Sequence, residues 1–199
     1  MSSALILIAN GTEEMEFVIT YDTLVRAGIN CTSALVNDIP DTLPTPSPVA
    51  KCSRGVKIIA DKDLADVEDP NSFDALIIPG GAKGADTLSQ SKKVQGLIRA
   101  YLEKDRVVGM ICAGSLAALR ASLPRSKITS HPSVKADLGS AFEYSEDDVV
   151  VAGKLITSRG PGTAFLFALT LVEALVGPEK RKEVYGPMVF PPGYYTTPL

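Results

Sequence analysis

A cysteine that breaks an apolar strand pattern and is followed at once by small residues is well placed to be a nucleophile. Cys112 lies in such a run, Val107-Val108-Gly109-Met110-Ile111-Cys112-Ala113-Gly114-Ser115-Leu116. A strand entering a helix through a tight turn holds a side chain clear of the backbone for attack. A thiol there stands near the amino end of the next helix, where N–H groups and the helix dipole favour thiolate over thiol. The segment also fits a plain core strand ended by a buried cysteine, because free cysteine commonly packs as a small hydrophobe. Its partners decide between the two.

Four further segments offer partners. Asn10-Gly11-Thr12-Glu13-Glu14-Met15-Glu16 turns into a helix with three carboxylates at its start. Glu13 and Glu14 read as acids that complement the dipole. Glu16 has a facing that can point it back over the sheet edge toward the Cys112 turn, where loss of water would raise its pKa and let it exchange a proton near neutrality. Pro79-Gly80-Gly81-Ala82-Lys83-Gly84-Ala85 matches neither the dinucleotide nor the Walker phosphate pattern. Paired glycines nevertheless let backbone approach a ligand, and the N–H groups of Gly81 and Ala113 can hold an oxyanion formed at Cys112; a tight turn without a ligand fits the segment equally well. Ser130-His131-Pro132-Ser133 carries the sole histidine of the chain. Alone it reads as structural; beside Cys112 and Glu16 it completes a nucleophile, acid-base and relay set. Ser158-Arg159-Gly160-Pro161-Gly162-Thr163 either lines the pocket or ends a strand.

Positioning these segments calls for an α/β fold with a mostly parallel central sheet, because short apolar runs alternate with helical periodicity. Strands are expected at 4–9, 31–36, 56–59, 75–78, 107–111 and 155–157, with 149–152 as an antiparallel hairpin partner. Helices are expected at 14–27, 92–104, 115–121, 133–138, 163–176 and 179–185, with Gly28 and Gly177-Pro178 as stop signals. In a parallel sheet, chemistry collects beyond the carboxyl ends of the strands. The proline-rich stretch 38–48 is read as a surface excursion and 187–199 as an extended tail, loose or laid over the body. Residues 1–199 read as one domain without internal repeats.

Composition narrows the function. With 199 residues, 45% hydrophobic, the chain can bury roughly 70–75% of its unfolded surface. Cys31, Cys52 and Cys112 are odd in number and far apart, which argues against a disulfide framework and for a reducing compartment. One histidine and no Cys-x-x-Cys make a zinc site unexpected. A net charge of -3 leaves no footprint for nucleic acid. The opening run Ala4-Leu5-Ile6-Leu7-Ile8-Ala9 lacks the flanks of a signal peptide, and no apolar segment reaches the ~20 residues of a membrane span.

Glu13-Glu14-Met15-Glu16, Pro79-Gly80-Gly81, Met110-Ile111-Cys112-Ala113-Gly114, His131-Pro132-Ser133 and Thr157 to Thr163 occur in this order along the chain. With these motifs the sequence closely resembles the ThiJ/PfpI superfamily, in particular its DJ-one and glutathione-independent glyoxalase subfamily, over nearly its whole length. The resemblance implies a flavodoxin-like three-layer sandwich, a homodimer, and a cytoplasmic setting that extends to the nucleus. It implies Cys112 as nucleophile, Glu16 as the carboxyl that shuttles its protons and His131 as the neighbouring histidine. Gly81 and Ala113, with Gly80 beside them, correspond to the oxyanion and substrate-binding backbone, and Arg54 to the dimer contact. The implied activity turns a small 2-oxoaldehyde into a 2-hydroxy acid, with deglycation as a related reaction and no cofactor or metal. A redox sensor or chaperone acting through Cys112 oxidation uses the same residues. A peptidase or amidotransferase needs an acid to orient His131, and the sequence offers no obvious one.

Overall fold

Strands buried on both faces read as continuous apolar runs, and Ala4 to Ile8 have no exposed surface. The computed structural model describes residues 1–37 and 48–194. The excursion expected at 38–48 therefore lies outside the described residues except for Pro48, as does the end of the tail from 195.

The strands are β1 (Ser3–Ile8), β2 (Asn30–Leu35), β3 (Val49–Lys51), β4 (Lys57–Ile59), β5 (Lys62–Asp63) and β6 (Ala75–Ile78), followed by β7 (Val107–Ile111), β8 (Lys127–Ile128), β9 (Glu143–Tyr144), β10 (Val149–Ala152) and β11 (Leu155–Ser158). Seven form the central sheet in the order β10-β11-β7-β6-β1-β2-β5. Every neighbouring pair is parallel except β10 with β11. The helices are α1 (Glu14–Arg26), α2 (Ala82–Gln90), α3 (Lys92–Glu103), α4 (Leu116–Arg120), α5 (Lys135–Gly139), α6 (Ala164–Val176) and α7 (Pro178–Tyr185).

The chain runs from β1 outward to β2, and later from β6 in the opposite direction to β7. Right-handed crossovers then put α1 and α3 on opposite faces of the sheet. Accordingly α1 packs on α6, whereas α3 packs on β6, β7 and α4. The order reverses between β1 and β6, so a crevice opens beyond their carboxyl ends, where open α/β sheets bind ligands. The α/β fold, the mostly parallel sheet and the β10–β11 hairpin agree with the pattern read from the sequence.

Three differences have local causes. The run 56–59 does form a strand, but β4 pairs antiparallel with β3 in a separate hairpin, and the place beside β2 goes to the two residues of β5. Helix α2 was not expected. Gly84 sits in its first turn and Lys83, Asp86, Thr87, Ser89 and Gln90 dilute its periodicity, leaving buried Ala85 and Leu88 as the visible signal. Gly84 lets α2 lie against the chain at Thr12, because a Cβ there would come within 2.5 Å of the Thr12 nitrogen. The short β8 and β9 carry too few residues for any periodicity to register.

The described part of the tail is laid over the body. Phe190 stands edge-on to Phe165, with ring centroids 5.1 Å apart, and stacks on Tyr185 at 4.9 Å.

In β7, a Cβ on Gly109 would meet Ile77 Cδ1 and Phe167 Cζ, each at 2.9 Å. Gly109→Val therefore overpacks the junction of sheet and α6. It is expected to cost about 1–3 kcal/mol, read as a lower urea midpoint at unchanged slope.

Candidate active site

Cys112 stands at the end of β7, where the chain leaves the sheet through a short 3-10 turn, Cys112–Ser115, into α4. Its φ is +63°, a left-handed conformation that a residue with a Cβ adopts at a cost. The next residues make this bend possible. A Cβ on Gly114 would lie 2.6 Å from the Ile78 carbonyl oxygen and 2.7 Å from that of Pro79, so glycine alone lets the turn press against the end of β6. Ser115 Oγ donates to the Thr129 carbonyl at 2.9 Å and Thr157 Oγ1 accepts from the Thr129 N–H at 3.0 Å. These two contacts tie the turn to β11 and to the segment leading to His131. Both residues lie in segments singled out in the sequence, but the contacts they make are not legible there, because buried serine and threonine carry no spacing signal.

Glu16 has no exposed surface. Glu13 caps α1 by accepting the Glu16 N–H at 2.9 Å, which fixes the first turn and aims Glu16 inward while Met15 is left about half exposed. Glu16 Oε2 accepts the Gly80 N–H at 2.8 Å. A Cβ on Gly80 would fall 2.5 Å from Cys112 Cβ, 2.7 Å from Glu16 Oε2 and 3.0 Å from Cys112 Sγ. Carboxyl and thiol thus face each other across a glycine backbone that leaves no room for a side chain. Glu16 Oε1 is buried and has no hydrogen-bond partner among the described residues.

Burial raises the Glu16 carboxyl to about 7, against the pull of the Cys112 thiol and the Gly80 N–H. Burial and the negative charge of Glu16 push the Cys112 thiol up to about 12, against the N–H groups of Ala113 and Gly81. This reverses the expected preference for thiolate: desolvation and a neighbouring carboxylate outweigh a dipole that the short 3-10 turn barely develops. Two anions this close in a dry site do not coexist, so the thiol keeps its proton and any negative charge the pair carries near neutrality sits on the Glu16 carboxylate.

Gly81 and Ala113 both direct N–H groups at the sulfur. Gly81 has φ +86°, and a Cβ on it would lie 2.2 Å from the Gly11 oxygen. The Gly80 N–H is taken by Glu16, so Gly80 positions the carboxyl. Glu14 does more than complement a dipole, since its carboxylate accepts from Ser53 Oγ at 2.9 Å and from the Arg54 N–H at 2.8 Å. Burial raises Glu14, and these bonds outweigh it, leaving its carboxyl below the usual range. Arg54 itself extends an exposed side chain from the β3–β4 turn. His131 is exposed, and its ring bonds to Ser133, not to Glu16 or Cys112, among the described residues. It belongs to the same edge, because a Cβ on Gly160, just beyond β11, would meet His131 Cδ2 at 3.6 Å.

The model of the DJ-1/PfpI family matches residues 2–174. The chain belongs to the DJ-1/PfpI family. Within it, "Protein dj-1beta" of Drosophila melanogaster is 41% identical over 92% of this chain and 94% of its own length. "Glutathione-independent glyoxalase DJ-1" of Schizosaccharomyces pombe is 36% identical over 96% of this chain and 100% of its own length. "Glutathione-independent glyoxalase DJR-1.2" of Caenorhabditis elegans is also 36% identical, over 94% and 95%. The solved structure of Schizosaccharomyces pombe DJ-1 superposes with a TM-score of 0.88 at 34% identity, covering 95% of this chain and all of that one. The DJ-1 subfamily that includes these glyoxalases is therefore the branch to which the chain is most readily compared. Among the described residues no helix is long and apolar enough to cross a membrane, and no three His, Cys, Asp or Glu side chains are grouped to hold a metal ion.

The raised Glu16 carboxyl has a consequence for stability. Its folded pKa of about 7 exceeds the ordinary value of 4.5, so the folded state holds this proton more tightly. Stability is lost as pH rises from 4.5 through 7 and is fully restored below 4.5. Glu16→Gln removes that loss. The stability of the variant relative to the parent is expected to improve by on the order of 3 kcal/mol between pH 4 and pH 8, measured by urea unfolding at both pH values.

Proposed function

We propose that this protein is a glutathione-independent glyoxalase that converts methylglyoxal to lactate, and glyoxal to glycolate, through a covalent adduct on Cys112. The observation that carries this reading is the buried Glu16 carboxyl, raised to about 7 and set across Gly80 from the Cys112 sulfur. A carboxyl with such a pKa serves as base and acid in turn at neutral pH. The glyoxalase names of the Schizosaccharomyces pombe and Caenorhabditis elegans relatives support it.

The Glu16 carboxylate takes the thiol proton as Sγ bonds to the aldehyde carbon. The carbonyl electrons pass to oxygen, which the N–H groups of Gly81 and Ala113 stabilise, and that oxygen takes the proton from Glu16 to give a hemithioacetal. Glu16 then removes the hydrogen of the sulfur-bearing carbon and passes it to the neighbouring carbonyl oxygen, forming an enediol, and next takes the hydroxyl proton on the sulfur-bearing carbon and delivers it to the neighbouring carbon. The product is a thioester of the 2-hydroxy acid, one carbon having been oxidised and its neighbour reduced. Water cleaves it, releasing lactate and a proton and restoring the thiol. The reaction uses no metal, glutathione or nucleotide. Deglycation of early methylglyoxal adducts on amines is the related activity that the same chemistry supports. The reading places Arg54 at the contact of a homodimer, where its exposed side chain is free to meet a partner.

Purified protein incubated with methylglyoxal, without glutathione or metal, is expected to yield lactate. Cys112→Ser is expected to yield none, and Glu16→Gln to lower kcat by about 10²-fold or more and to slow formation of the Cys112 adduct, followed by mass spectrometry. Because Glu16 must be ionised to act, kcat/KM is expected to rise with pH through about 7. Lactate from Cys112→Ser at the parent rate would sink the mechanism. Stoichiometric loss of aldehyde without lactate would replace it with thiol scavenging.

A further inference from the structure

The hydrogen bonds of His131 avoid both Cys112 and Glu16 and go to Ser133, and those bonds define what it can do. The Ser133 N–H points at His131 Nδ1 from 3.2 Å. An amide N–H can only donate, so in the neutral ring Nδ1 carries a lone pair and the ring proton sits on Nε2. Ser133 Oγ lies 2.8 Å from the same Nδ1. A hydroxyl both donates and accepts, so Oγ is also ready to accept from Nδ1–H in the doubly protonated ring. Nε2 therefore keeps its hydrogen in either charge state.

His131 lies on the same edge as the elbow. Thr129, two residues before it, is held through its carbonyl by Ser115 and through its N–H by Thr157. In the sheet Ser158 is level with Ile111, which precedes Cys112, and Gly160, two residues further on, lies against the His131 ring. The elbow and the histidine segment thus share the carboxyl edge of β7 and β11, and the ring is exposed there to an incoming molecule.

The geometry points to Ser133 as a positioning residue that fixes His131 as a standing hydrogen-bond donor at Nε2, a group that binds a substrate oxygen and does not act as a base. The inference rests on the glyoxalase reading for the identity of that oxygen, the second carbonyl of a 2-oxoaldehyde. A donor at that point favours dicarbonyls over simple aldehydes, which have no second oxygen to accept it. Proton transfer at carbon is then left to Glu16. It also disfavours the peptidase-like use of His131, which would require a free lone pair at Nε2.

The chain contains one histidine, so the tautomer can be read directly from the long-range proton–nitrogen NMR spectrum of the intact protein. Expected is one pattern with a protonated-type Nε2 and an unprotonated-type Nδ1 at high pH. A dominant Nδ1–H pattern or an even mixture overturns the assignment, whatever the activity. The second arm is kinetic. His131→Ala is expected to lower kcat/KM for methylglyoxal about tenfold, the worth of one hydrogen bond of about 1.4 kcal/mol. His131→Gln, whose amide N–H stands near the position of Nε2–H, is expected to recover most of that loss, and His131→Asn little of it. For acetaldehyde, measured as adduct formation on Cys112, all three variants are expected to match the parent. Equal losses in Gln, Asn and Ala for methylglyoxal would make the ring a base and overturn the donor role. If the parent itself makes no lactate, the glyoxalase reading fails while the spectrum still decides the tautomer.

Discussion

A carboxyl group without exposed surface must be neutral, paired or expensive, and Glu16 is held in that position by three separate parts of the chain. The Glu13 cap sets its turn, the Gly80 N–H binds one oxygen, and the Cys112 thiol faces it across the Gly80 backbone. No cation among the described residues compensates it there, so desolvation dominates and its proton is retained up to about pH 7. Much of the local architecture follows from this arrangement. Gly80 has to be glycine because carboxyl and sulfur occupy the space of its Cβ, and Gly81 because the Gly11–Glu13 turn occupies that of its own.

The elbow at Cys112 depends on the same close approach. A left-handed cysteine costs on the order of 1–3 kcal/mol, and it persists where the surroundings allow no alternative. Ile78 and Pro79 press on Gly114 from one side, and Ser115 grips Thr129 on the other. The strain therefore has a use: it holds the sulfur between the N–H groups of Gly81 and Ala113 and beside Glu16. Reactivity comes from proton exchange within that pair, not from a thiolate stored by a helix dipole.

Glu14 extends the same edge outward. Its carboxylate bonds to Ser53 and Arg54, so one helical turn points Glu16 at the sulfur and Glu14 at the β3–β4 hairpin.

The sequence by itself determined the fold class, because continuous apolar runs alternating with amphipathic periodicity have few other solutions than a covered parallel sheet. It also determined that Cys112, Glu16 and the Gly80-Gly81 pair lie on one edge, since each follows a strand of that sheet. What it could not determine is what each group does there, because that depends on distances between segments far apart in the chain. The Gly80 N–H goes to Glu16 only because β1 and β6 are neighbours, and the thiol is pushed up because burial and a carboxylate converge on it. The partner of His131 lies two residues away and was legible in principle, but a short polar turn has no periodicity to announce it. Helix α2 was hidden for a related reason: its stability comes from packing Ala85 and Leu88 and from seating Gly84 on Thr12, contacts that exist only once the sheet has formed.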